Sequence, residues 1–273
     1  MSDKSADSAL LLVFAEPGKD VTLEEFQDWY DNEHVPLRTE RFPEFRSAAR
    51  YQVLSTVASS SDRPYTASGW AAIYNISSLS LFNDDHPYAA LRTPEGRSQR
   101  EAELLSRIAI LDRRIYRLTY DSGTDSKYHA QVKDSLRPLK ADETAPAVVA
   151  TSVTPADGNQ QAYDEWYLGE HVEALSKVPG WRRTRRFDLV DALIIGKEAA
   201  PNNGDAASVP KCLGLHEYDS GNFSSTPEFS AALNTPWRTR VMREDGSGIA
   251  QQERKVMDLY RAWDPTAALK AGH

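Results

Sequence analysis

Runs of apolar residues, separated by polar stretches rich in Pro, Gly and Ser, recur along this chain at the spacing of short buried strands. The first run covers residues 9–15 and ends at Pro17-Gly18, which is typical of a buried strand followed by a turn. Similar runs predict further strands in both halves of the chain. The predicted strands cover residues 9–15, 46–54, 70–76, 108–120, 147–154, 181–190, 211–218 and 253–263.

A helical pattern follows the first strand and carries the candidate chemistry. Thr22, followed three residues later by a glutamate, forms a capping box that predicts a helix over residues 23–34. Pro36 disfavours helical geometry in the residue before it, so we expect the helix to end at His34. Helical spacing places Tyr30 and His34 on the packed face of this helix. Further helices are predicted over residues 87–106, 160–175 and 226–242.

This helical segment recurs in the second half, which makes the chain a tandem repeat. Both copies contain an acidic residue, Trp-Tyr, two variable positions and Glu-His-Val, at residues 28–35 and 165–172. The similarity extends further along the chain, where Leu-Arg-Thr-Pro at 91–94 aligns with Leu-Asn-Thr-Pro at 233–236. Because a chance match would not extend in this way, we interpret the chain as two homologous repeats.

Each repeat has the element order strand, helix, strand, strand, helix, strand, which is that of the ferredoxin-like α+β unit. The two helices of that unit cover one face of its sheet, and the other apolar face must be buried elsewhere. We expect the two sheets to face each other in one intramolecular barrel and to keep a small-molecule cavity between them. The predicted boundaries are a first repeat over 1–124, a linker over 125–145, a second repeat over 146–265 and a tail over 266–273.

Composition narrows the range of partners. The formal net charge is -8 and the isoelectric point is about 5.3, which argues against nucleic acid or an anionic membrane as the main partner. The first apolar run lacks both the features of a signal peptide and the length of a membrane span. The single cysteine, Cys212, cannot form an internal disulfide, as is typical of a reducing compartment. We therefore expect a cytoplasmic protein, and leave open whether it forms a homodimer.

The Trp29-Tyr30 pair, the following His34-Val35-Pro36-Leu37 and the Pro-aromatic turn after them resemble the EthD-type members of the dimeric α/β-barrel superfamily. The resemblance covers both repeats and implies that two domains which usually meet from separate chains are fused here. Relatives include polyketide cyclases, muconolactone-type isomerases, cofactor-independent oxygenases and fungal decarboxylases of aromatic polyketide acids. The resemblance therefore implies a small aromatic or polyketide-like substrate.

Carried across by position, the acid/base histidine of that family corresponds to His34 and His171. Imidazole titrates near neutral pH, so either residue can move a proton at an enolisable or aromatic carbon without a metal or redox cofactor. The alternative is a structural histidine that bonds a carbonyl at the end of its helix. His171 lacks the following Pro-Leu and could belong to a repeat that has lost its activity.

Two arginines are candidates for binding the substrate. Arg50 and Arg186 occupy equivalent strand positions, and an inward arginine would hold a carboxylate or an enolate by charge-assisted hydrogen bonds. Strand alternation places Arg50 opposite the more apolar set that includes Phe45 and Tyr51, which we expect to pack under the helices. The arginines would then point into the barrel, or into solvent if the strand lies at an edge.

Aromatic residues supply further candidates. Tyr30 and Trp70 are candidates for the lining of the cavity, and His216 either lines the cavity of the second repeat or belongs to its core. The six histidines show no close metal-ligand spacing, and no glycine-rich loop follows a strand. We therefore expect no metal site and no bound cofactor.

Three functional hypotheses remain at this stage. The first is a cofactor-independent lyase or isomerase that decarboxylates or cyclises a small aromatic or polyketide-like metabolite by histidine acid/base catalysis. The second is a barrel that binds a small molecule, or serves a stress response, without turnover. The third is a cofactor-free oxygenase on the same scaffold.

Overall fold

The computed structural model describes residues 7–58, 68–131, 139–140, 142–199, 209–245 and 247–264. Within these ranges the strands are β1 (Ala9–Glu16), β2 (Phe45–Ala58), β3 (Trp70–Ile76), β4 (Ile110–Asp121), β5 (Ala147–Pro155), β6 (Trp181–Ile195), β7 (Cys212–Tyr218) and β8 (Ile249–Trp263). The α-helices are α1 (Leu23–Trp29), α2 (Val35–Thr39), α3 (Gln99–Arg107), α4 (Gln160–Trp166), α5 (Val172–Ser176), α6 (Pro227–Leu233) and α7 (Pro236–Val241). Two π-helical turns, Tyr30–His34 and Tyr167–His171, join α1 to α2 and α4 to α5.

The strands close into one antiparallel barrel in the order β1-β3-β2-β8-β5-β7-β6-β4. Each repeat contributes a four-stranded sheet, β4-β1-β3-β2 or β8-β5-β7-β6, which has the strand order of a ferredoxin-like unit. The sheets join where β2 pairs with β8 and β4 pairs with β6. This arrangement confirms the predicted α+β fold, in which two ferredoxin-like repeats form a single intramolecular barrel.

Two strands extend past their predicted ends because they pair with the opposite repeat. The end of β2 continues to Ala58, which lies opposite Glu253 of β8. The end of β6 continues to Ile195, which lies opposite Leu111 of β4. Among the described residues these extensions pair only with the opposite repeat, so their pairing depends on closure of the barrel.

The helix that carries His34 does not end at that residue, in contrast to the prediction. It continues through the π-helical turn Tyr30–His34 into α2. The N–H of Val35 closes this turn and donates to the carbonyl of Tyr30, five residues earlier. Pro36 lies in the first turn of α2, where proline is tolerated because its missing N–H is not required. The second repeat has the same turn at Tyr167–His171. Such turns are frequent at functional sites, and here each one carries a candidate histidine.

Apolar side chains fill the middle of the barrel. A cavity of about 820 Å³ lies at one end of the barrel, where residues of both sheets line it, including Asn75, Arg185 and Phe187. The predicted cavity between the sheets is therefore present at that end, but the candidate histidines do not line it. A barrel of eight strands is just wide enough for its inward side chains to fill it or to hold one small ligand. The cavities that contain the candidate histidines lie instead outside the barrel, between helices and sheet. The buried apolar residues inside the barrel include Leu10, Leu12, Phe14, Ala49, Tyr51, Ala71, Ile73, Tyr116, Val148, Ala150, Phe187, Leu213, Leu215 and Met257.

The described part of the predicted linker packs against the barrel. The ring of Tyr128 lies 5.8 Å from that of Trp181. Leu139 and Ala145 are buried in the cluster that fills the barrel, and the hydroxyl of Tyr51 donates to the carbonyl of Ala145 at 3.1 Å. The domain boundaries themselves remain a prediction.

A buried network of ion pairs crosses the barrel between the repeats. Arg114 lies 2.6 Å from Asp112 on its own strand and 2.7 Å from Glu253 on β8. Lys255 lies 3.1 Å from Glu253. The strand registers put Asp112 and Arg114 at the same positions in β4 that Glu253 and Lys255 occupy in β8. The network therefore joins equivalent acid and base pairs from the two repeats.

We expect Arg114→Ala to lower the free energy of unfolding by about 3–5 kcal/mol, because it leaves two buried carboxylates short of a partner. Urea unfolding at pH 7 measures this change. The matched control is Lys197→Ala, which removes an exposed ion pair with Asp20 and should cost less than about 1 kcal/mol. Similar losses in the two variants would show that the network inside the barrel does not stabilise it.

Candidate active site

The π-helical turn of the first repeat holds His34 among aromatic rings at the edge of the core. The ring of His34 lies 4.5 Å from that of Trp29 and 4.8 Å from that of Tyr30. Trp29 and Tyr30 are almost fully buried, whereas His34 retains 9% of its exposure. The imidazole is thus fixed by packing on one side and borders a cavity on the other.

Glu101 is the hydrogen-bond partner of His34. It lies in the first turn of α3, where its N–H donates to the hydroxyl of the N-cap residue Ser98 at 2.9 Å. Its carboxylate lies 2.9 Å from Nδ1 of His34. Arg38 also fixes this pair, since one guanidinium nitrogen donates to the carbonyl of His34 at 2.7 Å and another lies 3.7 Å from the carboxylate.

The electrostatics of this dyad favour a neutral imidazole beside an ionised carboxylate. Burial lowers the pKa of His34 to about 4, and the charge of Arg38 acts in the same sense, while Glu101 opposes both. Burial alone would raise the pKa of Glu101, but the bond from His34 and the charges of His34 and Arg38 outweigh it, so that pKa is lowered. An ionised carboxylate only accepts hydrogen bonds, so Nδ1 carries the proton and Nε2 keeps its lone pair.

The cavity beside this dyad has a volume of about 160 Å³ and combines an apolar wall with several arginines. Arg113 of β4 pairs with Asp191 at 3.0 Å, and its Nε and Nη1 are buried with no partner among the described residues. The remaining lining residues are Leu11, Val13, Arg38, Tyr88, Leu91, Arg92, Arg97, Leu105, Leu111, Leu193 and Ile195. Leu193 and Ile195 belong to β6, so the second repeat contributes to the wall of the first cavity.

The predicted direction of Arg50 is wrong. A β-bulge between Phe45 and Ser47 shifts the alternation of β2 by one residue, so Arg50 points towards the helices and Tyr51 points into the barrel. Arg50 is 1% exposed and pairs with Asp31 at 2.6 Å. It belongs to a closed layer under α1 and does not line the cavity beside His34.

Tyr30 and Trp70 lie in that same layer, around the guanidinium of Arg50. The guanidinium carbon is 4.4 Å from the ring centre of Tyr30 and 5.4 Å from that of Trp70. Neither ring lines the cavity beside His34. Arg186 is placed in the same way in the second repeat, where it pairs with Asp164 at 2.6 Å and lies 4.4 Å from the ring of Tyr167.

The second repeat has a cavity of about 200 Å³ at the corresponding place, and both His171 and His216 line it. His171 stacks on Trp166 at 4.5 Å and lies 5.6 Å from the ring of His216. His216 is held by Thr184, whose hydroxyl lies 3.2 Å from its Nδ1. Nδ1 of His171 is buried with no partner in the described residues, so this repeat lacks the histidine and carboxylate dyad of the first.

Sequence reasoning missed Glu101, Arg38 and Arg113, which the structure adds to the candidate site. Glu101 follows Ser98 at the spacing of a capping box, so the sequence pattern suggested a helix start and not a site. Arg38 follows the predicted histidine by one helical turn and could have been found from that spacing. Nothing in the sequence shows which face of β4 Arg113 occupies.

Neither metal ligands nor membrane spans are found in the part of the chain that the structure describes. No three His, Cys, Asp or Glu side chains converge there as metal ligands would. None of its helices is long and apolar enough to cross a membrane.

Comparison with known proteins shows a likeness of fold. No model of a known protein family matches the sequence, and no curated protein is significantly similar to it. Among solved structures, an anthrone oxidase-like protein matches with a TM-score of 0.51 at 13% identity, over 97% of this chain and 94% of its own. A candidate monooxygenase from Fusobacterium nucleatum matches with a TM-score of 0.52 at 11% identity, over 95% of each chain. At these identities the comparison establishes a shared ferredoxin-like barrel fold.

Buried imidazoles make the stability of the protein depend on pH. Burial lowers the pKa of His34 to about 4, that of His216 to about 3, and that of His171 well below its usual value. An unfolded histidine titrates near pH 6.5, so the unfolded state binds more protons below that pH. The free energy of unfolding therefore falls as the pH drops from about 6.5 towards 4.

We expect the protein to lose about 2 kcal/mol at pH 5, relative to pH 7, through His34 alone. His171→Phe removes a titrating ring whose Nδ1 has no partner in the described part of the chain, so this variant should lose less stability than the wild type between the two pH values. Urea unfolding at pH 7 and pH 5 measures both losses. Equal losses in the two proteins would mean that His171 is not held neutral in the folded state.

Proposed function

We propose that this protein is an enzyme in which the neutral imidazole of His34 removes a proton from an enolisable carbon or a phenol of a small aromatic substrate. The observation that carries this proposal is the bond of 2.9 Å between Nδ1 of His34 and Glu101 beside an arginine-lined cavity. A carboxylate on one ring nitrogen fixes the tautomer, so that the other nitrogen can accept a proton, and it stabilises the imidazolium that forms.

The arginines of the cavity complete this chemistry. Proton removal next to a carbonyl places negative charge on the carbonyl oxygen, and fixed cations in an apolar site stabilise such charge strongly. Arg113 has two buried donor nitrogens without partners in the described residues, and Arg38 lies beside the dyad. In this proposal one of these guanidinium groups binds the developing oxyanion.

Cofactor-free oxygenation is the reaction that we propose. The carbanion left by proton removal gives one electron to dioxygen, and the radical pair combines at the same carbon. The peroxide anion formed in this way takes back the proton from the imidazolium of His34. For a methylene substrate, the resulting hydroperoxide loses water and leaves a ketone, so one dioxygen yields one new carbonyl oxygen and one water. The anthrone oxidase-like and monooxygenase names of the two structures with the same fold support this reaction class. The Trp-Tyr and His motif supports placing the chain among EthD-type barrels.

A lyase or isomerase is the second candidate, and two nitrogens of Arg113, which have no partner among the described residues, support it. They suit a substrate carboxylate, which the same site would hold during decarboxylation. His34 would then take the proton of a phenol hydroxyl of the substrate and give it to the carbon that loses carbon dioxide, which leaves a phenolate. A barrel that binds its ligand without turnover would show neither reaction.

The test of the function uses an oxygen electrode and a carbon dioxide assay in parallel. The substrates are 2-coumaranone, which is one aromatic ring with an enolisable methylene, and single-ring aromatic hydroxy acids, because these fit a cavity of about 160 Å³. Oxygenation predicts uptake of one dioxygen for each 2-coumaranone consumed, without added metal or flavin. Decarboxylation predicts carbon dioxide release from an acid with no oxygen uptake. Ligand binding in calorimetry with neither reaction would overturn the proposal of an enzyme.

His34→Ala should lower turnover by about a hundredfold or more, the usual contribution of a general base. Glu101→Gln should lower it by a similar factor, since it removes the carboxylate that orients the imidazole. Glu103→Gln is the matched control, because it makes the same change at an exposed position of the same helix. Melting curves accompany the rates. Full turnover in His34→Ala, or equal losses in both glutamate variants, would contradict these roles.

The pH dependence of kcat/KM provides a separate test. Only neutral His34 accepts a proton, so kcat/KM should be flat from pH 8 down to about 5 and fall as the pH passes below the pKa of about 4. Glu101 raises the pKa of His34, so Glu101→Gln should move this fall to lower pH. For the acidic points, the enzyme is moved from neutral pH to the assay pH immediately before the measurement, and the rate is recorded before the protein unfolds. An inflection near pH 6.5 would identify an exposed histidine as the base.

A further inference from the structure

The helices that border the two cavities begin in the same way. Ser98 caps α3 and accepts a hydrogen bond from the N–H of Glu101 at 2.9 Å. Thr235 caps α7 and accepts the corresponding bond from the N–H of Arg238 at 3.1 Å. Ser98 lies three residues before Glu101, and Thr235 lies three residues before Arg238. In each repeat the later residue of the pair lines the cavity.

Each cap is also tied to the histidine turn of its own repeat. The hydroxyl of Ser98 donates to Glu33, the residue before His34. The hydroxyl of Thr235 donates to Glu170, the residue before His171, at 2.6 Å. These bonds make Ser98 the structural counterpart of Thr235, although the sequence alignment pairs Thr235 with Thr93.

The consequence is a reversal of charge beside the histidine. Glu101 of the first repeat corresponds to Arg238 of the second, so an acid is replaced by a base at the same helical position. In agreement with this replacement, Nδ1 of His34 has a carboxylate partner, whereas Nδ1 of His171 is buried with no partner among the described residues. The pKa of His171 is lowered mainly by burial, and next by the charges of His216 and Arg238. The ring of His171 is therefore neutral.

A second cation reaches the same cavity. Arg254 lies opposite Thr151 in the pairing of β8 with β5, which is the position that Arg113 occupies opposite Val13 in the first repeat. Arg113 has an acidic partner in Asp191. Within the described ranges, no ion pair joins Arg238 or Arg254 to a carboxylate. Burial lowers the pKa of both guanidinium groups.

The wall of this cavity suits a flat aromatic ligand. Trp166 and His171 form a stacked pair along one side, and Phe229 lies under the guanidinium of Arg254 at 5.8 Å. The hydroxyl of Tyr218 is buried with no partner in the described part of the chain. A dry cavity of about 150 Å³ holds one benzene, so the volume of about 200 Å³ accommodates one ring with a substituent or two fused rings.

We propose that the cavity of the second repeat is a binding site for a small aromatic anion, held by Arg238 and Arg254 against the wall of Trp166 and His171, and that it binds this ligand without turnover. A carboxylate or phenolate would pair directly with the two arginines, neither of which forms an ion pair with a carboxylate among the described residues. Among those residues no carboxylate bonds Nδ1 of His171, so the described site lacks the dyad of the first cavity. The proposal stands whether or not the first cavity is catalytic.

The test is isothermal titration calorimetry with 2-naphthoate, a fused-ring aromatic anion. It is carried out in the Leu91→Trp variant, in which a larger side chain fills the first cavity, so that the heat reports the second. We expect one site, and at least tenfold weaker binding of the neutral analogue 2-naphthalenemethanol, since the charge-assisted bonds are lost. Equal affinity for the two probes would overturn the assignment of an anion site.

Substitutions then locate the binding. Arg238→Gln and Arg254→Gln should each weaken 2-naphthoate binding by about tenfold or more, and Arg238→Glu should weaken it further. Arg240→Gln is the matched control, because Arg240 lies on the same helix and is exposed. Unchanged affinity in both arginine variants would contradict the proposal.

Filling the second cavity provides an independent check. Leu233 lines it at the position that matches Leu91 in the sequence alignment. In a chain with an unmodified first cavity, Leu233→Trp should leave turnover of 2-coumaranone unchanged. In the Leu91→Trp chain, Leu233→Trp should abolish 2-naphthoate binding, whereas Glu101→Gln should leave that binding unchanged. Retention of the second site in folded Leu233→Trp would place the ligand elsewhere. The two proposals can therefore fail separately.

Discussion

Pairing between the repeats is the constraint on which the rest of this structure depends. A ferredoxin-like sheet ends in two edge strands with unpaired backbone groups, and one of its faces is apolar and uncovered. The pairs β2 with β8 and β4 with β6 remove all of these edges at once. The same closure buries both uncovered faces, so hydrogen bonding and the hydrophobic effect favour one arrangement.

Closure also determines where chemistry can occur. The inside of the barrel is filled by apolar side chains and by the ion pairs of Arg114 and Lys255 with their carboxylates. Two cavities lie between a sheet and its helices, one in each repeat, and there the π-helical turns place His34 and His171 beside the cavities. Each candidate site is therefore built on rigid elements, and the first one depends on the other repeat through Leu193 and Ile195.

Fusion of the two repeats allows the cavities to differ. In a symmetric homodimer every substitution occurs in both sites, whereas a tandem chain can change one site alone. Here Glu101 gives the first histidine a carboxylate partner, and Arg238 takes the corresponding place in the second repeat. One change of charge at the start of a helix thus distinguishes the two cavities, and the two proposed roles, proton transfer and anion binding, follow from it.

The sequence by itself determined the repeat, the ferredoxin-like order of elements and the barrel. The spacing of apolar residues and the positions of turn residues depend only on residues that are close together in the sequence. It also singled out the two histidines, since their motif occurs twice. Only the tertiary structure decided the direction of Arg50, because one bulged residue in β2 reverses every side chain after it. It alone brought Glu101 to His34 across 67 positions of sequence, a contact that depends on how α3 packs against the sheet. Local pattern fixes which elements form, whereas the partners within a site depend on packing between distant elements.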